Sequence, residues 1–534
     1  MNFQAKNQNT KRGGENYQGT ASKKTRIIVF DFHSPMMIEV VKALQAKSIE
    51  IVYWVASKGD FVEISKRKDI FPHTIFHNAD DAAAGIPAPR VDARSFKPVD
   101  ATILKEYVEA QVQSLVMMDG IDLTQTSVLK KVHLYNVYLK YWHGIFEMFR
   151  PDAIIFSDVP HMSFKYVAYC IAKRMGIRRA ILRNTQIGGR MSIIDDIQDY
   201  KKLRAHLQRN EGKNFSLDDL SPDFRDYYNR QRNVDISPGF YRGDTVNRRA
   251  YGLYQFLPHW DSFKKNIRNL ALLNASYVYI KMLFSKRRLP SLEVFIKPVW
   301  YIKLQERRRN ALKRSFEKEY LQYQREPDLT KKYIYVALHN QPERSTGTEG
   351  GVFVDQILMI DLLSHSIPSD WVIYVKENRM QWIIARSHKG RFRGYTEEIV
   401  KNKNVFVVPV ETSTFDLIKN AQAVAAVTST AAWEAILRDK PALIFGYTWY
   451  MYCDGVLRIS DWASCRDAIG KIKNGYKPNQ QKVINFLKSA DETTILGYLN
   501  QRTRDMVDLN TLLIKEDKKN IESLSRELYK ELVE

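Results

Sequence analysis

Short apolar runs that alternate with amphipathic segments constrain this chain more than any other feature. RIIVF leads through a polar loop into the helical pattern MMIEVVKALQAK, and IEIVYWVA follows. A stretch rich in Tyr, Leu and Val then reads as helix to about Phe149. Beyond it PDAIIFSDVPH, SFKYVAYCIAKRMGI and RRAILRN repeat the order strand, helix, strand. Runs that are apolar throughout suit strands covered on both faces, and strands separated by helices return in parallel. A second block starts at KKYIYVALH and continues through FVDQILMIDLLSHS, DWVIYVK, NVFVVPV, AVAAVT and PALIFG. The expected architecture is α/β, with two doubly wound, Rossmann-like halves facing a cleft. Ligands are expected outside the carboxyl ends of the strands.

A chain of 534 residues is too long for one ordinary core. The expected division is a polar, disordered tail over 1–22 and an N-terminal Rossmann-like domain over 23–195. A helical, basic insert or linker over 196–330 separates it from a C-terminal Rossmann-like domain over 331–470, and helices close the chain over 471–534. The tail lacks the apolar core of a signal peptide. LALLNASYVYIKMLF, the longest apolar candidate, is broken by Lys281 and falls short of the ~20 residues a membrane span needs. Three widely spaced cysteines, Cys170, Cys453 and Cys465, argue against a disulfide framework or zinc site and fit a reducing cytoplasm.

The formal net charge of +22 is uneven. Residues 241–320 hold 18 Lys or Arg against 6 Asp or Glu, a net +12, interleaved with Trp, Tyr, Phe and Leu. That pattern reads either as a solvated helical face or as a helix against an anionic membrane surface. No nucleic-acid-binding signature accompanies it, and no nucleic acid partner is expected.

Three loops at expected strand ends in the second block carry most of the polar information. HNQPERSTGTEGG, residues 339–351, brings Gln341, Glu343, Arg344, Ser345 and Thr346 before a glycine-rich helix start. It is longer than the ~2–6 residues usual for such loops. Free N–H groups at a helix start suit a phosphate or sugar. Lys376, Glu377 and Arg379 leave a buried strand together in YVKENRMQW, as ligand contacts or as a surface ion-pair cluster. In AVAAVTSTAAWEAILR three hydroxyls, Thr428, Ser429 and Thr430, stand where a strand hands over to a helix. One hydroxyl is enough for a cap, so the others are spare donors for a phosphate at the positive helix end. Glu434, one turn on, is placed to accept from two ribose hydroxyls or to face solvent. In the first block Asp31 and His33, and Asp158 and His161, follow strands and offer general-base chemistry near a sugar hydroxyl. No metal-ligand cluster is visible, so neither a metal nor a cofactor is expected.

Several of these motifs in order, NQPERSTGTEGGVFVDQILMIDLL, DWVIYVKEN, TSTFDLIKNAQAVAAVTSTAAWEAILRDKPALIFG and WYMYCDGVLRI, resemble the capsule polysaccharide biosynthesis family, which includes bacterial Kdo transferases of capsule assembly. The resemblance covers about residues 333–460, with a weaker echo at 160–190. It implies a GT-B glycosyltransferase whose nucleotide-sugar donor, in some members a CMP-activated sugar acid such as Kdo, sits mainly on the C-terminal half. It implies that Ser429 and Thr430 touch donor phosphate, Glu434 the ribose, and the Gln341–Thr346 loop the donor sugar or phosphate. Many relatives read Lys-Glu-His-Pro where this chain has Lys376-Glu377-Asn378-Arg379. The missing pair is a nucleotide-phosphate contact in related cytidine-sugar enzymes, and Arg379 offers a replacement charge. The implied partners are a nucleotide sugar and a glycan or lipid-linked acceptor, and the implied location is cytoplasmic, peripheral at the inner membrane. The alternatives are a CDP-polyol phosphotransferase, a nucleotide-sugar epimerase of GT-B fold, or a non-enzymatic scaffold descended from a transferase.

Overall fold

The apolar runs become strands, and their order in space places the site. The computed structural model describes residues 24–232 and 299–533, apart from 33, 58–60, 63, 123–125, 186, 188, 343, 384–386 and 500–516. The first block supplies β1 (Thr25–Phe30), β2 (Ile49–Ala56), β3 (Ile75–Asn78), β4 (Ala153–Phe156), β5 (Arg178–Asn184) and β6 (Arg190–Ile194). Among its helices are α1 (Pro35–Gln45), α2 (Ala79–Ala83), α3 (Ala101–Glu106), α4 (Val108–Ile121), α5 (Val128–Phe149) and α6 (Ser163–Arg174). Helices α7 (Lys201–Arg209), α8 (Pro222–Arg232) and α9 (Val299–Tyr323) lie between the blocks. The second block holds β7 (Tyr333–Ala337), α10 (Arg344–Glu349), α11 (Gln356–Ser364), β8 (Val372–Lys376), α12 (Tyr395–Ile399), β9 (Val405–Val407) and α13 (Thr414–Asn420). It continues with β10 (Ala423–Ala426), α14 (Thr430–Leu437), β11 (Ala442–Ile444), β12 (Val456–Arg458), α15 (Trp462–Lys473) and α16 (Gln480–Thr493). Strand β13 (Ile495–Leu496) and α17 (Asp517–Val533) follow.

The first sheet runs β3-β2-β1-β4-β5-β6-β13, parallel except where β6 and β13 join antiparallel. The second runs β9-β8-β7-β10-β11-β12 and is wholly parallel. Counted within each block, both show the order 3-2-1-4-5-6 of the Rossmann sheet. Two such sheets in tandem make the α/β architecture of GT-B type. In each, the chain reverses direction across the sheet at one place, between β1 and β4 and between β7 and β10.

Strands β4, β7 and β10 are buried at every position. Alternate residues of β1 feed two different layers: Ile28 and Phe30 face one core, Ile27 and Val29 the other. This two-sided burial is why the runs read as uniformly apolar. The sequence did not signal β3, β6, β12 and β13. Each has at least one position that is only partly buried, so none reads as an unbroken apolar run, and β13 forms only by pairing Ile495 with Met191 of β6.

The end of the chain returns to the first half. Helix α17 packs on α1 with Leu524 and Leu528 fully buried. Asn520 bonds the backbone of Tyr498 in both directions, at 3.0 and 2.9 Å. Helix α8 is tied to the second half through Trp433 Nε1, which donates to Tyr227 Oη at 2.9 Å. Most of the basic stretch 241–320 lies outside the described residues, and α9 is the part that is described. No described helix is long and apolar enough to cross a membrane.

Candidate functional site

The crevice between β7 and β10 is where a Rossmann sheet of this order takes a ligand. A hydrogen bond spans it. His339, two residues past β7, accepts from the backbone N–H of Thr428, two residues past β10, through Nε2 at 3.0 Å. An imidazole that accepts through Nε2 is neutral and carries its proton on Nδ1. Gln356 grips the backbone of His339 from both sides: its Oε1 accepts from His339 N at 2.7 Å and its Nε2 donates to His339 O at 3.3 Å.

The third loop joins through Arg391. Its guanidinium meets both oxygens of Glu377 at 2.8 Å, donates to His339 O at 3.2 Å, and lies 4.4 Å from the ring centre of Tyr395. Arg391 and Glu377 are both buried. Loops 339–351, 374–380 and 428–434 thus meet at one place, held by His339, Arg391 and Glu377. Neither His339 nor Arg391 was a sequence candidate; nothing local distinguishes Arg391, and its role exists only through partners 14 and 52 residues away.

The hydroxyls divide their work. Ser429 is the N-cap of α14, with Oγ accepting from Ala431 N at 3.3 Å and its carbonyl taken by Tyr450 Oη at 2.6 Å. Thr430 is the first residue of the helix, half-buried. Thr428 Oγ1 is buried without a hydrogen-bond partner. Glu434 does not face solvent. It is 4 % exposed, Oε2 has no hydrogen bond, and the Arg438 guanidinium stands 3.8 Å away. Burial pushes its carboxyl up to about 7, against the pull of Arg438.

In the first loop Gln341 exchanges hydrogen bonds with Gln381, at 2.8 and 3.0 Å. Gly390 approaches so closely that a Cβ there would lie 2.2 Å from Gln341 Cβ. Thr346 is fully buried. Glu343 lies outside the described residues, as do the side chains of Arg344 and Ser345. Lys376 turns toward α13, donating to Thr412 O at 2.7 Å and Thr414 Oγ1 at 2.6 Å, and Arg379 is exposed.

The opposite wall comes from the crevice between β1 and β4. Asp31 and Phe32 leave β1 with φ of 67° and 53°, a left-handed backbone that L-residues avoid. Both carboxylate oxygens of Asp31 are held by Lys165 Nζ, at 2.6 and 2.7 Å, in a buried pair. His33 lies outside the described residues. Asp158 Oδ1 accepts from Val159 N at 2.8 Å, and His161 Nδ1 donates to Val159 O at 3.0 Å. Two contacts close the walls on each other. Thr348 Oγ1 donates to Pro160 O at 3.1 Å, and Arg183 Nη2 meets Glu349 Oε2 at 3.0 Å with Glu349 fully buried. Lys165, Arg183 and Glu349 lay in quoted stretches, but only tertiary neighbours mark them out. Among the described residues no group of three or more His, Cys, Asp or Glu is placed to hold a metal ion.

No family model and no curated protein matches the chain. Among solved structures it is similar to KpsC of Thermosulfurimonas dismutans, a beta Kdo 2,7 transferase, at 11% identity over 90% of this chain and 100% of that one, with a TM-score of 0.32. It is also similar to the UDP-GlcNAc 2-epimerase of Methanocaldococcus jannaschii (11% identity, 88% and 98% covered, TM-score 0.23). The UDP-GlcNAc 2-epimerase of Neisseria meningitidis, bound to UDP-GlcNAc, aligns at 10% identity over 95% and 99%, with a TM-score of 0.21. Likeness of this degree says nothing about activity, and the strand order establishes the fold without it.

Proposed function

We propose that the protein is a nucleotide-sugar enzyme, a glycosyltransferase that moves a sugar from a nucleotide donor to a glycan or lipid-linked acceptor. The observation that carries this is the meeting of three polar loops at the switch point of the C-terminal sheet, beside the start of α14. The donor phosphate would lie against Thr428, Ser429 and Thr430, where the helix end and the hydroxyls stabilise the charge that grows on the leaving nucleotide. Asp158, on the facing wall and more open than the locked Asp31, would take the proton of the acceptor hydroxyl. The resemblance to capsule-assembly Kdo transferases makes a CMP-activated sugar acid the first donor to try. The basic segment 241–320 would hold the enzyme at an anionic membrane, near its acceptor.

The test is a thermal-shift screen of the full chain with CMP, CDP, UDP, GDP and TDP compounds, followed by product analysis. A ligand at 100 times its dissociation constant stabilises by ~2.7 kcal/mol, enough to see. Nucleotide release that requires an acceptor supports transfer. A new nucleotide sugar formed with no acceptor present makes the protein an epimerase, and phosphate in the product makes it a polyol phosphotransferase. Silence with every nucleotide removes the donor site and leaves the scaffold reading.

A further inference from the structure

We propose that His339 is the positioning residue of the donor-phosphate loop, and that Arg391 holds it in register; this rests on the donor-site reading above. The backbone N–H of Thr428 lies just before the first turn of α14, where chain direction changes and no ladder or helix bond claims it. The imidazole of His339 takes that N–H from the far side of the crevice at 3.0 Å. The ladder fixes β10 against β7 only as far as their last pair, and beyond it this bond sets how far the hydroxyl loop stands from the chain leaving β7. It also decides which donors remain for a ligand, because an N–H bonded to the protein is spent. What is left is the Thr428 hydroxyl, buried and without a partner, and the N–H of Thr430, because those of Ala431 and Ala432 already donate to Ser429.

The position of the ring is itself over-determined. Gln356 fixes the backbone on both sides, and Arg391 holds the carbonyl while Glu377 occupies the other edge of the guanidinium. Arg391 therefore passes the placement of the 374–380 loop to His339, and His339 passes it to Thr428. An anion site needs its donors fixed within about 0.5 Å, which a loop of hydroxyls does not achieve unaided. The hydrogen bond requires one tautomer, with the proton on Nδ1 and the lone pair on Nε2. His339 never touches the reacting atoms in this scheme.

The experiment compares the wild-type chain with His339→Leu and His339→Gln. CMP and UDP are the calorimetric probes, and urea melts check each fold. Leucine offers no acceptor, whereas the amide oxygen of glutamine accepts the same N–H. The expected result is about tenfold weaker nucleotide binding in His339→Leu and recovery to near wild type in His339→Gln. Equal binding by all three overturns the positioning role while leaving the donor site standing. No binding by the wild type overturns both. Should His339→Leu not fold, the ¹⁵N shifts of selectively labelled histidine decide. Assigned by difference against His339→Gln, a ring protonated on Nδ1 alone agrees with the proposal, and one protonated on Nε2 overturns it.

Discussion

Replacing Glu434 by glutamine should make the protein more stable at alkaline pH and leave it unchanged near pH 4.5. Glu434 sits in the second turn of α14 at 4 % exposure, beside the Arg438 guanidinium at 3.8 Å and without a hydrogen bond to Oε2. Burial raises its carboxyl from 4.5 to about 7. The folded protein therefore keeps this proton up to about pH 7, whereas the unfolded chain gives it up at about 4.5. Between those values the folded state binds more protons, so stability falls as pH rises. The stabilising contribution is fully present below 4.5 and lost through 7. The span from 4.5 to about 7, at ~1.4 kcal/mol per pH unit, makes this slope worth roughly 3 kcal/mol. Glutamine has the same shape and cannot ionise, so the slope disappears. Arg438 keeps its bond to Glu434 O at 3.2 Å and its place over Phe415. Urea melts followed by tryptophan fluorescence at pH 4.5 and pH 8 give the difference. Wild type and variant should coincide at pH 4.5, and the variant should gain roughly 3 kcal/mol at pH 8. A gap of the same size at both values, or a less stable variant at pH 8, would refute the reasoning.

Acid should act in the opposite sense through His77. This buried ring donates to Ile86 O and accepts from Tyr53 Oη, which in turn accepts from Tyr141, and burial lowers His77 from 6.5 to about 4. Its contribution is present above pH 6.5 and is lost as pH falls to about 4, by roughly 3 kcal/mol, so His77→Gln should flatten the acid limb of a plot of urea midpoint against pH. Arg391→Met leaves Glu377 as a buried charge without its bidentate partner and should cost ~3–5 kcal/mol in a urea melt; adding Glu377→Gln should recover much of it. Sedimentation with anionic liposomes should be strong at low salt and weak at high salt if the +12 of residues 241–320 meets a membrane. Equal binding to neutral and anionic vesicles would remove that role.

Much of the fold was legible because its signals are local. A strand buried on both faces reads as an unbroken apolar run, as in Tyr333–Ala337 and Ala423–Ala426, and a helix start announces itself by its cap, as Ser429 does. Alternation of the two predicts parallel sheets with polar loops at the strand ends, whereas the strand order, and with it the two switch points, comes from the structure. Strands β3, β6, β12 and β13 were not legible, since each has at least one position that is only partly buried and none reads as an unbroken apolar run.

The sequence alone determined which residue types stand at the strand ends: three hydroxyls at the start of α14, an Asp after β1 and after β4, a long polar loop after β7. Tertiary structure decided what each of them is. Asp31 is held by a lysine 134 residues away, Arg183 by a glutamate 166 residues away, and Glu377 by an arginine whose own stretch carries no signal. Glu434 looks like a helix-surface residue in sequence and is buried in space. The physical reason is range. Propensity and capping act within a turn or two of the chain, whereas burial, charge pairing and proton affinity depend on what else the fold brings within a few ångströms.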